Sequence, residues 1–364
     1  MLEGISRQLE EDAMDDQRQL HINDGGKARP EGGGASGYDA DIVVGLDGSP
    51  ESFAALRWAL REAECSRQRV NAVFGWTPSW ELGAEPDNDK DWDTMRERML
   101  GRLHGWVKEA SKGLDIDLGK IELTPERASG EAALLRIGSH AQQIVVGRRS
   151  MGRVMRWLTN STSSSLAEES QVPVTIVRGA DADEHDVQGG IAAALGPTVL
   201  GPAAGDDRVK PENGSGAEAA GRTIVVGVDG SPAADRALRF AICRAALHHA
   251  SVHAVYCWQF KELGVIPGYE NAIAPIEAGQ EYAAKLVRDI VTARIHDSPA
   301  TAEALSISTH AFHVSAVKGL LSASRYTDHI VIGTRGLGGL DAHFLGSVSR
   351  QVVNLAQCTV TVVH

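Results

Sequence analysis

IVVGVDGSP, residues 224–232, and its near-copy IVVGLDGSP, residues 42–50, decide the fold of this chain. Each begins with a run of apolar, mostly β-branched residues, which is typical of a strand buried on both faces of a parallel sheet. Each ends in Ser-Pro, which supplies an N-cap hydroxyl and a proline for the first turn of a helix. Both copies therefore predict a strand that leads directly into a helix.

A second pair of matching segments shows that the chain is a tandem duplication. SGEAALLRIGSHAQQIVVGRRS, which begins at Ser129, parallels SAVKGLLSASRYTDHIVIGTRG, which begins at Ser315. Neither match needs a gap, and the two matches differ slightly in offset, so the length changes lie in the middle of each copy. Internal similarity of this kind predicts two domains with the same fold.

Strand-like and helix-like segments alternate within each copy. The predicted strands are 41–46, 70–76, about 120–127, 143–147 and 174–177 in the first copy, and 223–228, 252–258, 307–314, 329–333 and 359–363 in the second. Five strands separated by helical crossovers predict a doubly wound α/β domain with a parallel sheet. We place these two domains at residues 40–179 and 222–364.

The segments outside the copies have compositions that do not build a core. Residues 1–39 are polar and end in a glycine-rich run, and residues 180–221 are dominated by Gly, Ala, Asp and Pro. Such compositions are typical of flexible chain. We therefore predict a disordered N-terminal tail and a flexible linker.

Charge and cysteine content narrow the function classes. A formal net charge of −12 disfavours binding to nucleic acid or to an acidic membrane surface by bulk electrostatics. The four cysteines form no C-x-x-C pair and no zinc-like cluster with histidines, which fits a reducing compartment. No apolar run approaches the roughly 18 residues of a membrane span. We expect a cytoplasmic protein with no nucleic-acid partner, no membrane and no metal site built from protein ligands alone.

GTRGLGGLDAHFLGSVSR, residues 333–350, is the candidate ligand-binding segment. In doubly wound sheets, ligands bind beyond the carboxyl ends of the strands where the strand order reverses. If the first and fourth strands are neighbours there, Asp229 and this segment face one crevice. Glycines let backbone N–H groups approach phosphate oxygens, and a helix N-terminus favours an anion. Asp229 could then bond ribose hydroxyls or hold a Mg²⁺ ion that bridges the phosphates.

Two familiar nucleotide motifs do not fit this segment. A P-loop requires G-x-x-x-x-G-K-[ST], which does not occur in the chain. A dinucleotide fingerprint G-x-G-x-x-G that begins at Gly336 would need glycine where Asp341 stands. The segment is therefore neither a Walker site nor a dinucleotide loop.

The spacing Gly333-x2-Gly336-x9-Gly346-Ser347, paired with a first-strand V-G-V-D-G-S, resembles the ATP-binding signature of the universal stress proteins. The resemblance covers both copies and implies an α/β/α sandwich with strand order 3-2-1-4-5. It implies ATP as the ligand, with the motif glycines and serine at the triphosphate and ribose, the first-strand aspartate at the nucleotide, and adenine held by backbone around Cys257. The site residues that it predicts in the second domain are Asp229, Gly230, Ser231, Cys257, Gly333, Arg335, Gly336, Gly346, Ser347 and Val348.

The first copy departs from this pattern. Serine and asparagine replace the second and third motif glycines, and both side chains occupy space where backbone should meet phosphate. The aspartate and the motif serine are retained, and arginines nearby could balance phosphate charge. Whether this domain binds nucleotide stays open; its candidate residues are Asp47, Gly147, Arg148, Ser150, Asn160 and Ser161.

Each candidate residue also has a purely structural interpretation. Asp47 and Asp229 could simply shape a turn and cap a helix. For Asp229 the nearby glycine segment favours a ligand-binding role over this structural one, whereas for Asp47 the two roles are equally favoured. Ser347 can cap its helix and serve a ligand at once. The histidines and tryptophans read as ordinary surface or core residues, among them His248, His249, His253, His310, His313, Trp58, Trp76, Trp106 and Trp157.

The last strand of each copy suggests how the domains assemble. Residues 174–177 and 360–363 should lie at sheet edges, which invite pairing with another strand. Domains of the resembled family commonly dimerise through this edge, which implies intrachain pairing of the two domains. A linker covering residues 180–221 has a coil span of roughly 35 Å, which permits such pairing. A homodimer of chains is a further expectation.

These features lead to three hypotheses for function. The first is an ATP-binding stress-response regulator or sensor that is gated by nucleotide. The second is a slow ATP-cleaving enzyme of the same fold group, although the chain shows no positioned general base or nucleophile and no Ser-Gly-Gly-x-Asp-Ser loop after strand one. The third is a dimerisation or scaffold module that binds no nucleotide, for which the altered motif of the first copy is the main argument.

Overall fold

A computed structural model describes residues 21–22, 42–77, 89–148, 162–178, 208–209, 222–297, 305–336 and 345–364. Within these residues the chain divides into two compact units, with the division near residue 178. The predicted tail and linker lie outside the described residues except for two short strands, His21–Ile22 and Arg208–Val209. Their flexibility stays a prediction.

The first unit alternates strands and helices in the predicted order. Its elements are β1 (Ile42–Leu46), α1 (Pro50–Ser66), β2 (Val70–Gly75), α2 (Asp89–Ala110), β3 (Ile121–Glu126), α3 (Gly130–Ile137), β4 (Gln143–Gly147), α4 (Thr162–Glu169) and β5 (Val174–Val177). Short 3-10 turns precede β3 and follow α3. The five strands pair in parallel in the order 3-2-1-4-5.

The second unit repeats this plan. Its elements are β6 (Thr223–Gly227), α5 (Pro232–His248), β7 (Ser251–Cys257), α6 (Phe260–Leu263), α7 (Ile276–Asp297), β8 (Ile307–Phe312), α8 (Ala316–Ala323), β9 (His329–Gly333), α9 (Ser347–Leu355) and β10 (Thr359–Val363). The strand order is 8-7-6-9-10, again all parallel. The predicted fold is therefore confirmed in both copies, while the four-residue helix α6 was not predicted.

The two short strands extend these sheets. His21–Ile22 pairs in parallel with β3, and Arg208–Val209 pairs antiparallel with β8. Within each domain's strand order, the last strand is at the opposite end from the strand that these short strands join: β5 is opposite β3, and β10 is opposite β8.

Local sequence explains how the first helix of each domain begins and ends. Ser49 and Ser231 are the N-caps of α1 and α5, and each is followed by proline in the first turn. Arg67 and His249 terminate these helices in the left-handed conformation, with φ of 57° and 52°.

Apolar residues of strands and helices form a separate core in each domain. In the first, buried side chains of β1 and β2 pack with those of α1 and α2, including Ile42, Leu56, Leu60, Leu103 and Val107. In the second, β6–β8 pack with α5 and α7, including Val226, Leu238, Ile242, Val252 and Val287. Because the strands of each domain pair in parallel, their carboxyl ends lie at the same edge of the sheet. No helix in the described ranges has the length and apolar character needed to cross a membrane.

Candidate functional site

The candidate site of the second domain lies where its strand order reverses. β6 pairs with β7 on one side and with β9 on the other, in a register that sets Ile224 opposite His329 and Val226 opposite Val331. The segments that follow β6 and β9 therefore leave the sheet side by side. This is the edge at which doubly wound sheets bind ligands.

Asp229 closes a tight turn at the end of β6. The backbone N–H of Ser231 donates to Asp229 Oδ1 at 2.9 Å. Gly230, between them, has a φ of +82°, a region that favours glycine. The turn holds Asp229 half-buried at the carboxyl end of β6.

Gly336 lies against the Asp229 carboxylate. A Cβ atom at position 336 would lie 2.4 Å from Asp229 Oδ2, closer than a Cβ atom approaches a non-bonded neighbour in folded proteins. The neighbouring atom is the end of a side chain, so the fold could yield by moving the carboxylate. Glycine at 336 therefore leaves the Asp229 carboxylate in place.

Gly333 has a different reason to lack a side chain. A Cβ there would lie 2.6 Å from the carbonyl carbon of Ala233, in the first turn of α5. Gly147 of the first domain is alike, because its Cβ would lie 2.1 Å from the carbonyl oxygen of Glu51. The expectation that Gly333 is glycine to make room for a ligand needs correction, since the close approach of β9 and α5 already requires it. A ligand contact through its backbone stays a prediction.

Gly346 is the N-cap of α9 and provides no capping side chain. Its backbone N–H donates to the carbonyl of Thr334 at 2.8 Å, and a Cβ there would lie 3.2 Å from that oxygen. Ser347 is exposed and Val348 half-buried at the start of the helix. The first-turn N–H groups of α9 thus begin beside the glycine segment without a side-chain acceptor at the N-cap.

Two buried serines tie this segment to the helices. Ser231 Oγ donates to the carbonyl of Arg335 at 3.2 Å, and Ser349 Oγ donates to the carbonyl of Gly333 at 2.8 Å. Ser231 is 2% exposed and Ser349 is 4% exposed. Sequence reasoning missed Ser349, although a second hydroxyl at the third position of a predicted helix was a visible signal. Half-buried Arg335 enters this network through its backbone.

Cys257 is the last residue of β7, and its thiol lies against α8. Cys257 Sγ packs against α8, where a Cβ at Gly319 would lie 2.3 Å from the sulfur. Burial, with a smaller contribution from Glu262, raises the pKa of this thiol to about 12. Burial likewise raises the pKa of the neighbouring Tyr256 to about 12, and the charges of Glu262 and Asp229 add to it. Both groups therefore stay protonated at neutral pH.

The histidines make contacts of their own. His253 Nδ1 and His310 Nε2 lie 2.8 Å apart, with nearly parallel rings, and His313 stacks on Trp258 at 4.4 Å between ring centroids. In the described parts of the chain, no group of three or more His, Cys, Asp or Glu side chains is placed to hold a metal ion.

Residues 40–178 and 221–364 match the model of the universal stress protein family. The chain belongs to that family. Two universal stress protein domains stand in tandem, as the duplicated sequence predicts. A universal stress protein of Mycolicibacterium smegmatis is 26% identical over 337 residues, which cover 90% of this chain and 98% of that protein.

A solved universal stress protein supports the fold. A crystal structure from Archaeoglobus fulgidus matches with a TM-score of 0.54 at 18% identity, covering 89% of this chain and 97% of that one. A universal stress protein solved in complex with cAMP covers 39% of this chain and 98% of that one, with 24% identity and a TM-score of 0.30.

The first universal stress protein domain has the same turn with a different hydroxyl bond. Asp47 Oδ1 accepts from the backbone N–H of Ser49 at 3.0 Å and from Ser49 Oγ at 2.5 Å. Gly48 again has a φ of +82°. Asp47 is exposed, and half-buried Arg148 donates its backbone N–H to Val177.

Three predicted residues of this domain, Ser150, Asn160 and Ser161, lie outside the described residues. Whether the first domain binds nucleotide therefore stays open, as it is from the sequence alone.

Proposed function

We propose that the second domain binds ATP in the crevice between β6 and β9, and that the chain acts as a nucleotide-gated regulator of the stress response. One observation carries this proposal. The Asp229 carboxylate meets Gly336 so closely that a Cβ would lie 2.4 Å from Oδ2, and this contact spans the reversal of strand order. The Asp229 carboxylate and Gly336 thus lie together beyond the ends of two adjacent strands.

The start of α9 supplies the attraction for phosphate. N–H groups at a helix N-terminus carry partial positive charge, and Gly346 contributes no competing side chain. Ser347, exposed in the first turn, adds a hydroxyl, and Arg335 adds a positive charge within the segment. These groups fit the triphosphate of ATP.

Asp229 limits how the nucleotide can sit. A carboxylate repels phosphate oxygens directly, so it must face ribose hydroxyls, or a Mg²⁺ ion that the phosphates help to hold. When bound, ATP would supply both partners, since it carries a ribose and a metal-chelating triphosphate. Binding measured with and without Mg²⁺ distinguishes the two roles of Asp229.

Adenine recognition falls to backbone at the end of β7 in this proposal. The Cys257 thiol is buried against Gly319, and its pKa of about 12 keeps it protonated. Main-chain groups are then what this residue can offer a base.

Regulation follows from differential binding rather than from bond cleavage. ATP would favour one conformation of the segment 333–347 and thereby bias a partner surface or the pairing of the two domains. That pairing, and assembly into a homodimer, stay predictions. ATP turnover well above slow background that is lost in Asp229→Ala would favour an enzyme instead.

Matched substitutions in the two domains test the site. Calorimetric titration of the full chain with ATP and Mg²⁺ should give saturable binding that falls at least about tenfold in Asp229→Asn. Asparagine keeps an oxygen for the Ser231 N–H, so the turn survives the change. Asp47→Asn, in the same turn of the first domain, is the control and should leave this binding in place. Equal binding by wild type and Asp229→Asn would contradict the proposal.

A further inference from the structure

The backbone carbonyls of residues 333–335 each accept a hydrogen bond from a residue outside β9. Gly333 O accepts from Ser349 Oγ at 2.8 Å, Thr334 O from Gly346 N at 2.8 Å, and Arg335 O from Ser231 Oγ at 3.2 Å. The N–H of Thr334 donates to Val363 O at 2.9 Å. Three successive peptide planes are therefore fixed in orientation.

Fixing a carbonyl also fixes the N–H of the following residue. A trans peptide is planar and holds its N–H opposite its C=O. The bonds to Thr334 O and Arg335 O thus set the directions of the Arg335 and Gly336 N–H groups. The carbonyl oxygens of residues 333–335, which would repel phosphate, are hydrogen-bonded to donors at the starts of α5 and α9.

The two hydroxyls belong to buried side chains on different helices. Ser231 is the N-cap of α5, where its Oγ also accepts from Ala234 N at 3.2 Å, and Ser349 lies in the first turn of α9. Ser231 therefore connects the Asp229 turn to the glycine segment, and Ser349 connects the end of β9 to the helix at which phosphate is expected.

The first domain shows that the capping serine does not have to make this connection. Ser49 accepts from Ser52 N at 3.1 Å, so it caps α1 as Ser231 caps α5. Its hydroxyl donates to Asp47 instead. The same Asp-Gly-Ser-Pro sequence can thus satisfy the serine locally, as it does among the described residues of the first domain, whereas in the second domain Ser231 bonds Arg335.

We propose that Ser231 and Ser349 are positioning residues for a phosphate-bearing nucleotide: Ser231, through Arg335 O, directs the Gly336 N–H toward the ligand, and Ser349, through Gly333 O, anchors the peptide at which the segment leaves β9. This inference rests on the proposed ATP site and adds the residues that prearrange it. Both serines act through backbone and contact no phosphate themselves. A purely structural hydroxyl would stabilise the fold without favouring one ligand over another.

The test compares ATP with adenosine, which shares the base and ribose but lacks phosphate. Calorimetry on the full chain should show that Ser349→Ala and Ser231→Ala each weaken ATP binding about tenfold. Adenosine affinity should change less than about twofold, because its groups do not meet the fixed N–H groups. Ser349→Thr, which restores a hydroxyl, should recover ATP binding.

Ser49→Ala is the matched control, since it removes the equivalent cap without touching the glycine segment, and it should leave ATP binding unchanged. ATP binding at wild-type strength in both alanine variants would overturn the inference and leave the proposed site intact. Equal losses for ATP and adenosine would also overturn it, since they indicate a general structural role. Wild-type protein that binds neither compound would overturn the proposed function together with the inference.

Discussion

Gly333 and Gly336 are three residues apart in one motif, and their missing side chains serve different ends. At 333 the space is filled by the backbone of Ala233, which cannot rotate away. At 336 it is filled by the Asp229 carboxylate, which can. The first glycine therefore belongs to the packing of strand on helix and the second to the site.

This difference predicts separable effects of two similar substitutions. Gly333→Ala should lower the free energy of unfolding by about 1–3 kcal/mol, because β9 and α5 must move apart. Gly336→Ala should change stability little and weaken ATP binding, because it displaces Asp229. Urea unfolding and calorimetric titration of the full chain check the two effects.

Gly105→Ala is the control for these changes, since a Cβ at this position in α2 meets nothing within 4 Å. It should be neutral or stabilising by up to about 1 kcal/mol, as alanine favours a helix. Equal stability losses at 333 and 336 would show that the two glycines are not distinct.

These same residues separate what can be predicted from the sequence from what cannot. Apolar β-branched runs and the Ser-Pro caps predict the strands and the start of α5, because those depend on local pattern, whereas the strand order 3-2-1-4-5 was implied by the family resemblance. The neighbour of Gly333 and the acceptor of Ser231 are long-range facts, since Arg335 O lies 104 residues from Ser231. Ser49, in the same local sequence, bonds Asp47 instead, so no local pattern distinguishes the two hydroxyls.

At the scale of elements, β9 and β10 share a buried titratable group at the opposite end from the candidate site. His329 opens β9, is 5% exposed, and its Nε2 lies 2.7 Å from Thr361 Oγ1. Burial first, and then the charges of Arg244 and His248, hold the pKa of His329 well below 6.5. The folded protein keeps this imidazole neutral.

The sign of the resulting pH dependence follows from proton binding. Below pH 6.5 the unfolded chain protonates His329 while the folded chain does not, so stability is present above that pH and is lost as pH falls toward the lowered folded pKa. Each pH unit in this window weakens the fold by up to about 1.4 kcal/mol. His329→Gln, which keeps an amide for Thr361, should therefore lose less stability than wild type between pH 7.5 and 5.

Thermal or urea unfolding of both proteins across this pH range provides the measurement. The difference between them isolates His329 from the carboxylates that titrate in both. Parallel pH profiles would show that His329 is protonated as easily in the folded chain as in the unfolded one.

At the scale of the whole molecule, duplication separates what the fold needs from what a ligand needs. Both domains of this universal stress protein keep the Asp-Gly-Ser-Pro turn and the packing glycine, Gly147 or Gly333. Only the second keeps glycine at the two later motif positions, where the first has Ser150 and Asn160. Since the duplicated fold forms in both, we attribute Gly336 and Gly346 to the proposed nucleotide binding by the second domain.

The most direct test of this central claim is to identify what the purified protein carries. Protein prepared without added nucleotide is denatured, the released small molecules are identified by mass spectrometry, and the stripped chain is titrated with ATP in a thermal shift assay. Wild type should release an adenine nucleotide or gain thermal stability with ATP, and Gly346→Asp, which adds a negative charge at the start of α9, should do neither. Wild type that carries no nucleotide and shows no shift with ATP would contradict the account.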